Sequence, residues 1–158
     1  MVYAPYDDVF DAIRNFLGFT GIGTETGVAG AWDFGLAPLY YENEIDVSPP
    51  GDVAPWVLVV LDTQLYGQQS IGGGTAPGQN RWDEDGTLWF HVFTPNGTGA
   101  REARRIAKAL ANMFRGRLLL NDALEFLDAD MGAGDPGKVN GNYYLLSVSI
   151  DWRRIEAQ

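Results

Sequence analysis

Residues 132–138 have the glycine and lysine spacing of a phosphate-binding loop. They read Gly-Ala-Gly-Asp-Pro-Gly-Lys, but Val139 stands where a Ser or Thr would hold magnesium. Such a loop lies between a strand and a helix, because the helix N-terminus presents backbone N–H groups to the phosphate. Residues 139–142 lead into a strand pattern instead, so we interpret the segment as a turn between strands.

Acidic side chains near the C-terminal third could supply oxygen ligands to Ca²⁺. They are Asp122, Glu125, Asp128, Asp130 and Asp135. The EF-hand pattern is absent, so we favour a solvated acidic rim. His91, the single histidine, is predicted to be a strand residue rather than a base, and cysteine is absent. We therefore expect no catalytic residue, no cofactor and no metal site.

The basic residues are unevenly distributed. Six of the 11 Lys and Arg residues lie in or just after one predicted helix: Arg101, Arg104, Arg105, Lys108, Arg115 and Arg117. The first four recur at i, i+3, i+4 and i+7, which places them on one helix face. That face is either solvated or pairs with an acidic patch of another subunit or partner. A contact between a basic helix and the acidic remainder of a neighbour would be heterologous and could close a ring.

Length and charge exclude several classes of protein. The 158 residues are 46% hydrophobic, which suits one domain covering residues 1–158. The formal net charge of −10 is opposite in sign to the surface of a general nucleic-acid binder. The N-terminus has no secretory signal pattern, and the longest apolar run, 57–61, is too short to cross a bilayer. We expect no membrane association.

The apolar periodicity predicts an α+β fold with a mainly antiparallel sheet, two helices packed on it and long glycine-rich loops. The helices are predicted at 5–17, with Arg14 on the polar face, and from 101 to about 115. Strands are predicted at 38–41, 56–61 extending toward 71, from after Gly86 to 95, and 143–155; residues 118–127 fit strand or helix, and strand is favoured. Segments 18–38, 72–80 and 130–142 are predicted to be loops.

The order of these signals resembles the tail terminator and minor tail proteins of long-tailed bacteriophages. Residues 40–44 (Tyr-Tyr-Glu-Asn-Glu), 48–50 (Ser-Pro-Pro) and 56–59 (Trp-Val-Leu-Val) are similar to the family's strand, Glu-Asn turn, proline bend and sheet strand. Arg81-Trp82, the segment 86–99 and the helix after it are similar to the family's glycine-led strand, Phe-x-Pro exit, glycine turn and Ala-rich helix.

The resemblance implies a structural virion protein and not an enzyme. Its subunits would form a homo-oligomeric ring, a hexamer, that caps the tail tube, ends tube polymerisation and joins the tail to the head connector or head-completion protein. It would lie at the head-proximal end of the tail after assembly in the host cytoplasm. Genome DNA would pass through the lumen without specific binding, since an acidic wall repels phosphate.

For the interface, we expect Arg101, Arg104, Arg105 and Lys108 to pair with a neighbouring subunit or partner. The glycine-rich segments 72–85 and 128–142 are expected to order on a partner. The first segment includes Arg81, Trp82, Asp83, Glu84 and Asp85.

Two alternatives stay open at this point. One is another neck component, either a head-completion or a connector protein. The other is a carbohydrate-binding or hydrolytic domain, for which Trp32, Trp82 and Trp89 would have to form an exposed platform.

Overall fold

A computed structural model describes residues 8–21, 24–44, 54–68, 82–132, 138–140 and 142–156. The described parts form two helices and seven strands. The helices are α1 (Asp8–Leu17) and α2 (Arg101–Phe114). The strands are β1 (Leu39–Tyr41), β2 (Trp56–Gln68), β3 (Trp82–Pro95), β4 (Leu118–Leu119), β5 (Leu124–Asp130), β6 (Lys138–Asn140) and β7 (Tyr143–Glu156). Neither described helix is long and apolar enough to span a bilayer.

All the described strands belong to one mostly antiparallel sheet, in the order β1-β2-β3-β7-β5-β4. β1 pairs parallel with β2, from Leu39↔Val57 to Tyr41↔Val59. The central strand β3 is antiparallel to β2 and to the whole of β7. β5 and β6 share the remaining side of β7, β6 at its start and β5 nearer its end. The predicted α+β class is confirmed.

The core lies between one face of this sheet and the two helices. α2 contacts β3 and β7. α1 packs its Phe16 ring on Phe114 of α2 at 5.4 Å and its Phe10 ring on Tyr41 of β1 at 6.2 Å. The predicted apolar stripe of α2 is buried, as are the alternate β3 residues Leu88, Phe90 and Val92. The pattern of period two therefore identified the core face of β3 correctly.

Predicted loop boundaries are wrong at three places. Residues 128–130 belong to β5 and not to a loop 128–142, because the strand continues along β7 after its register shift. The other two places lie in β3 and β6. β3 begins at Trp82, so residues 82–85 are strand residues and not part of a loop 72–85. They extend because each is paired on both sides, with β2 and with β7. Lys138–Asn140, predicted to be loop, forms β6 and pairs with Tyr143–Leu145. Residues 69–81 and 133–137 lie outside the described residues.

Gly86 lies where β3 packs too closely against its neighbours for a side chain to fit. It pairs with Thr63 of β2, next to a register shift between Thr63 and Leu65, and with Trp152 of β7. A Cβ at Gly86 would overlap the Asp62 carbonyl and come within 2.8 Å of the Trp152 indole. The missing side chain lets this indole, 1% exposed, pack against the strand backbone.

Candidate subunit interface

The basic face of α2 is exposed and pairs with no charged or polar side chain of the described residues. Because the opposite face of the helix is buried in the core, Arg101, Arg104, Arg105 and Lys108 all project away from the sheet. Their side chains form no ion pair or hydrogen bond within the described part of the chain. The helix prediction that grouped these four residues is confirmed, while their contact with a partner stays a prediction.

The acidic stretch of β3 lies elsewhere. Asp83 is only 7% exposed, and Glu84 and Asp85 are half-buried. The β7 residues in register with Glu84 and Asp85 are Arg154 and Arg153. Two arginines of the same sheet therefore lie beside the acidic stretch, although the paired residues are 70 (84 and 154) and 68 (85 and 153) positions apart in the sequence. The contact of these acids with a subunit or partner stays a prediction.

The other predicted residues of this segment have different positions. Trp82 is half-buried, and its ring stacks on that of Tyr66 at 5.3 Å. Arg81 lies outside the described residues. The structure thus brings Trp82, Asp83, Glu84 and Asp85 together in one strand, and α2 supplies the four basic residues separately.

At one end of the strand order, part of β2 has no neighbouring strand on its outer side among the described residues. β1 covers β2 only at Val57–Val59, and the Glu42 side chain accepts a hydrogen bond from the Leu61 N–H at 3.1 Å. Beyond this point we call residues 62–68 of β2 the β2 edge. Leu65 and Tyr66 of the β2 edge are 57% and 51% exposed. Because consecutive residues of a strand point to opposite faces, both sheet faces are open here among the described residues.

The opposite end of the strand order is also incompletely covered. β4 pairs with β5 only at Leu124 and Glu125. We call residues 126–130 of β5, together with Leu118, the β5 edge. A register shift between Phe126 and Ala129 displaces the chain from β7, and Leu127 is 51% and Leu118 49% exposed. Four of the five large hydrophobic residues found exposed in the described part thus lie on the two edges, the fifth being Val28.

A groove of about 200 Å³ runs between α2 and the β5 edge. Its floor contains apolar groups of the core side, among them Phe114 and Ile150. Lys108 and Arg115 line it from the helix, and Leu127 and Asp128 from the strand. One of the four predicted basic residues, Lys108, therefore belongs to a concave surface that also offers apolar contacts.

Arg14 was predicted to lie on the polar face of α1, and that prediction is wrong. The residue is 7% exposed, and its guanidinium hydrogen-bonds both carboxylate oxygens of Glu25, at 2.7 and 3.1 Å. Its Nε lies 2.9 Å from Glu44, and its Cζ 3.6 Å above the Phe19 ring. No sequence pattern indicates this cluster, since Glu25 and Glu44 are 11 and 30 residues from Arg14 in the chain.

The cluster fastens the segment after α1 to the sheet. The hydrogen bond to Glu25 raises the pKa of Arg14, so the guanidinium stays charged. Burial raises the pKa of Glu44, although Arg14 acts in the opposite direction. Burial also raises the pKa of the Tyr41 phenol, which donates to the Gly18 carbonyl at 2.6 Å. These groups pair with one another inside the subunit and serve its fold.

The face of the sheet away from the helices shows no catalytic arrangement in its described residues. His91 is half-buried, its Nδ1 lies 2.8 Å from Ser147 Oγ, and its ring stacks with Trp89 at 5.8 Å. The tryptophan platform required for carbohydrate binding does not form. Trp32 is 6% exposed in the helix-side core, where its indole donates to the Ala37 carbonyl.

The phosphate-loop and calcium patterns also have structural outcomes. Residues 133–137 lie outside the described part, and Lys138–Asn140 is a strand rather than the start of a helix. This agrees with the interpretation as a turn between strands. Among the described residues, no three His, Asp or Glu side chains converge on a position that could hold a metal ion. Asp135 is not among them.

Comparison with known proteins shows a family match and a likeness of fold. Residues 35–152 match a family model described as phage tail terminator protein. No curated protein matches the sequence. One solved protein structure is similar with a TM-score of 0.53 at 14% sequence identity, covering 77% of this chain and 81% of that chain. At that identity, the likeness concerns the fold alone.

Proposed function

We propose that this chain, which belongs to the phage tail terminator protein family, forms the ring that closes the tail tube. Members of this family are structural proteins of the phage tail. In the proposed assembly, six single-domain subunits form a ring on the head-proximal end of the tube. The ring stops further addition of tube subunits and offers its other face to the head connector or head-completion protein.

The observation that carries the proposal is the pair of uncovered sheet edges. An open strand with exposed apolar side chains is a hazard for a protein that stays alone, because its backbone groups can pair with another chain. Here both ends of the strand order carry such residues, Leu65 and Tyr66 at one end and Leu118 and Leu127 at the other. Two different patches on one subunit permit head-to-tail contacts, which generate a closed ring when the rotation between neighbours closes.

The charge of the chain fits a ring through which DNA passes. A formal net charge of −10 disfavours binding to phosphate, whereas a basic wall would hold the genome by releasing its counterions. We propose that genome DNA passes through the lumen without specific binding and without being held there. DNA titrated into the assembled ring at low salt should show no saturable binding, and tight binding would contradict this part of the proposal.

The direct test adds the protein to polymerising tail-tube protein. Tube lengths are measured by electron microscopy, and the mass of the free protein by light scattering. A terminator should bind one end of each tube and halt growth there, after assembly in a cell or in the test tube. Tubes that continue to lengthen at both ends in its presence would contradict the proposal and favour a different place in the neck.

A further inference from the structure

We infer that the β2 edge of one subunit docks into the groove between α2 and the β5 edge of a second copy of this chain, so that the sheet continues across the interface. The inference rests on the proposed ring and names the contact that closes it. The occupant of the groove is thus the same polypeptide, and the tube or connector protein binds elsewhere.

Backbone pairing supplies the first argument. Beyond Leu61, the side of β2 facing away from β3 has no strand partner among the described residues, and β5 beyond Glu125 is in the same condition on its outer side. These strands lie toward opposite ends of the strand order. Joining the two edges therefore gives each of them a neighbouring strand, and in a closed ring every subunit uses its β2 edge on one side and its β5 edge on the other.

The apolar residues supply the second argument. Leu65 and Tyr66 project from the β2 edge, and the groove has an apolar floor with Leu127 on its rim. Docking removes these side chains from water on both partners. A large aromatic residue in a desolvated pocket is the type of contact that dominates interface energies.

Charge selects the heterologous arrangement over a symmetric one. The charged side chain of the β2 edge is Asp62, which is exposed, with Asp85 on the adjacent strand. The helix wall of the groove presents Lys108 and Arg115, against one acid, Asp128, on the strand wall. Pairing two β2 edges would oppose acid to acid, whereas the groove offers two cations.

Cysteine-specific crosslinking tests this contact cleanly, because the chain contains no cysteine. We would mix ¹⁵N-labelled Leu65→Cys protein with unlabelled Leu127→Cys protein under assembly conditions and add a short flexible bismaleimide. Mass spectrometry of the linked peptides should show the labelled peptide joined to the unlabelled one. We expect this mixed product in more than tenfold excess over products that join two copies of the same variant.

The control replaces Leu127→Cys by Glu102→Cys, which lies on an exposed part of α2 outside the groove. Circular dichroism and the thermal midpoint establish that each variant is folded. Equal yields with the control, or a dominant Leu65→Cys homodimer, would overturn the inference.

A second pair of variants tests the contact by loss of assembly. Leu65→Asp and Leu127→Asp should each abolish ring formation, yet their mixture should give heterodimers that grow no further, since one intact groove meets one intact edge. Rings from either variant alone would overturn the inference.

The results separate the contact from the proposed function. Wild-type rings on tube ends without the mixed crosslink would overturn the contact and leave the function standing. The mixed crosslink without any effect on tube growth would support the contact and contradict the function.

Discussion

The molecule uses arginine in two opposite ways. Arg14 is buried, held by two glutamates and stacked on Phe19, so its charge is fully used within the subunit. The arginines of the α2 face are exposed and form no ion pair within the described part of the chain. The buried arginine therefore stabilises the fold, whereas the exposed arginines are available for the proposed contacts between subunits. Each role can be tested without disturbing the other.

The largest effect should come from Arg14→Met. Removing one partner of a buried ionic cluster leaves Glu44, 15% exposed, without its counter-ion. We expect the free energy of unfolding to fall by about 3 kcal/mol, measured by urea denaturation. Arg104→Met is the matched control, because it makes the same change at an exposed site, and it should alter stability by less than about 0.5 kcal/mol. Equal losses in both variants would contradict the distinction.

Reversing the basic face of α2 should act on assembly only. The combined substitution Arg101→Glu, Arg104→Glu, Arg105→Glu and Lys108→Glu should weaken ring formation more than tenfold, measured by light scattering or by counting capped tube ends. The urea midpoint should stay near that of the wild type, since these side chains are exposed and form no ion pair or hydrogen bond with another described residue. Asp33→Lys, an exposed change away from both edges, serves as the control. Normal rings from the fourfold variant would defeat the proposed role of this face.

Added salt should weaken assembly through the basic α2 face more than it weakens the buried Arg14 cluster, and this effect should be smaller than that of the substitutions. Raising ionic strength from about 0.05 M to about 0.5 M shortens the range of exposed charge interactions to a few ångströms. We expect assembly to weaken a few-fold, as followed by light scattering. The stability difference between wild type and Arg14→Met should change less, because a buried cluster is poorly screened. Assembly that is unaffected by salt would indicate contacts that are purely apolar.

The smallest effect concerns the pH dependence of the Arg14 cluster. Burial raises the pKa of Glu44 above its usual value, so the folded state holds this proton more tightly than the unfolded state. Linkage then requires stability to decrease as pH rises from the usual glutamate value, about 4.3, through the higher folded-state pKa. Relative to Glu44→Gln, which does not titrate, wild type should lose stability over this interval, as measured by urea denaturation. The opposite slope would show that Arg14 outweighs burial.

The sequence predicted the regular elements well because each follows from a local pattern. The stripe of α2 and the alternation through Leu88, Phe90 and Val92 repeat at the period of their structure, and both were placed correctly. Tail terminator membership also followed from the order of such elements, and it is confirmed by the match over residues 35–152.

The errors share one cause, which is dependence on residues distant in the chain. Asp83, Glu84 and Asp85 are predicted to be part of a loop, and acidic residues are indeed uncommon in strands. Pairing with β2 on one side and β7 on the other holds them in an extended conformation. Arg14 read as solvent-exposed because its partners, Glu25 and Glu44, reach it only after the chain folds back. The exposed edge residues were missed because burial at an edge depends on which strand is absent beside it.

Glu42 limits how much of β2 can pair with a strand of another chain. Its backbone N–H donates to Val59, and its side chain takes the place of a further strand residue at Leu61. A subunit with the proposed role of ending a polymer must not itself become the seed of another. By pairing with Leu61, this single carboxylate shortens the stretch of β2 that is open to foreign strands, which lowers the risk of fibril growth from the free subunit.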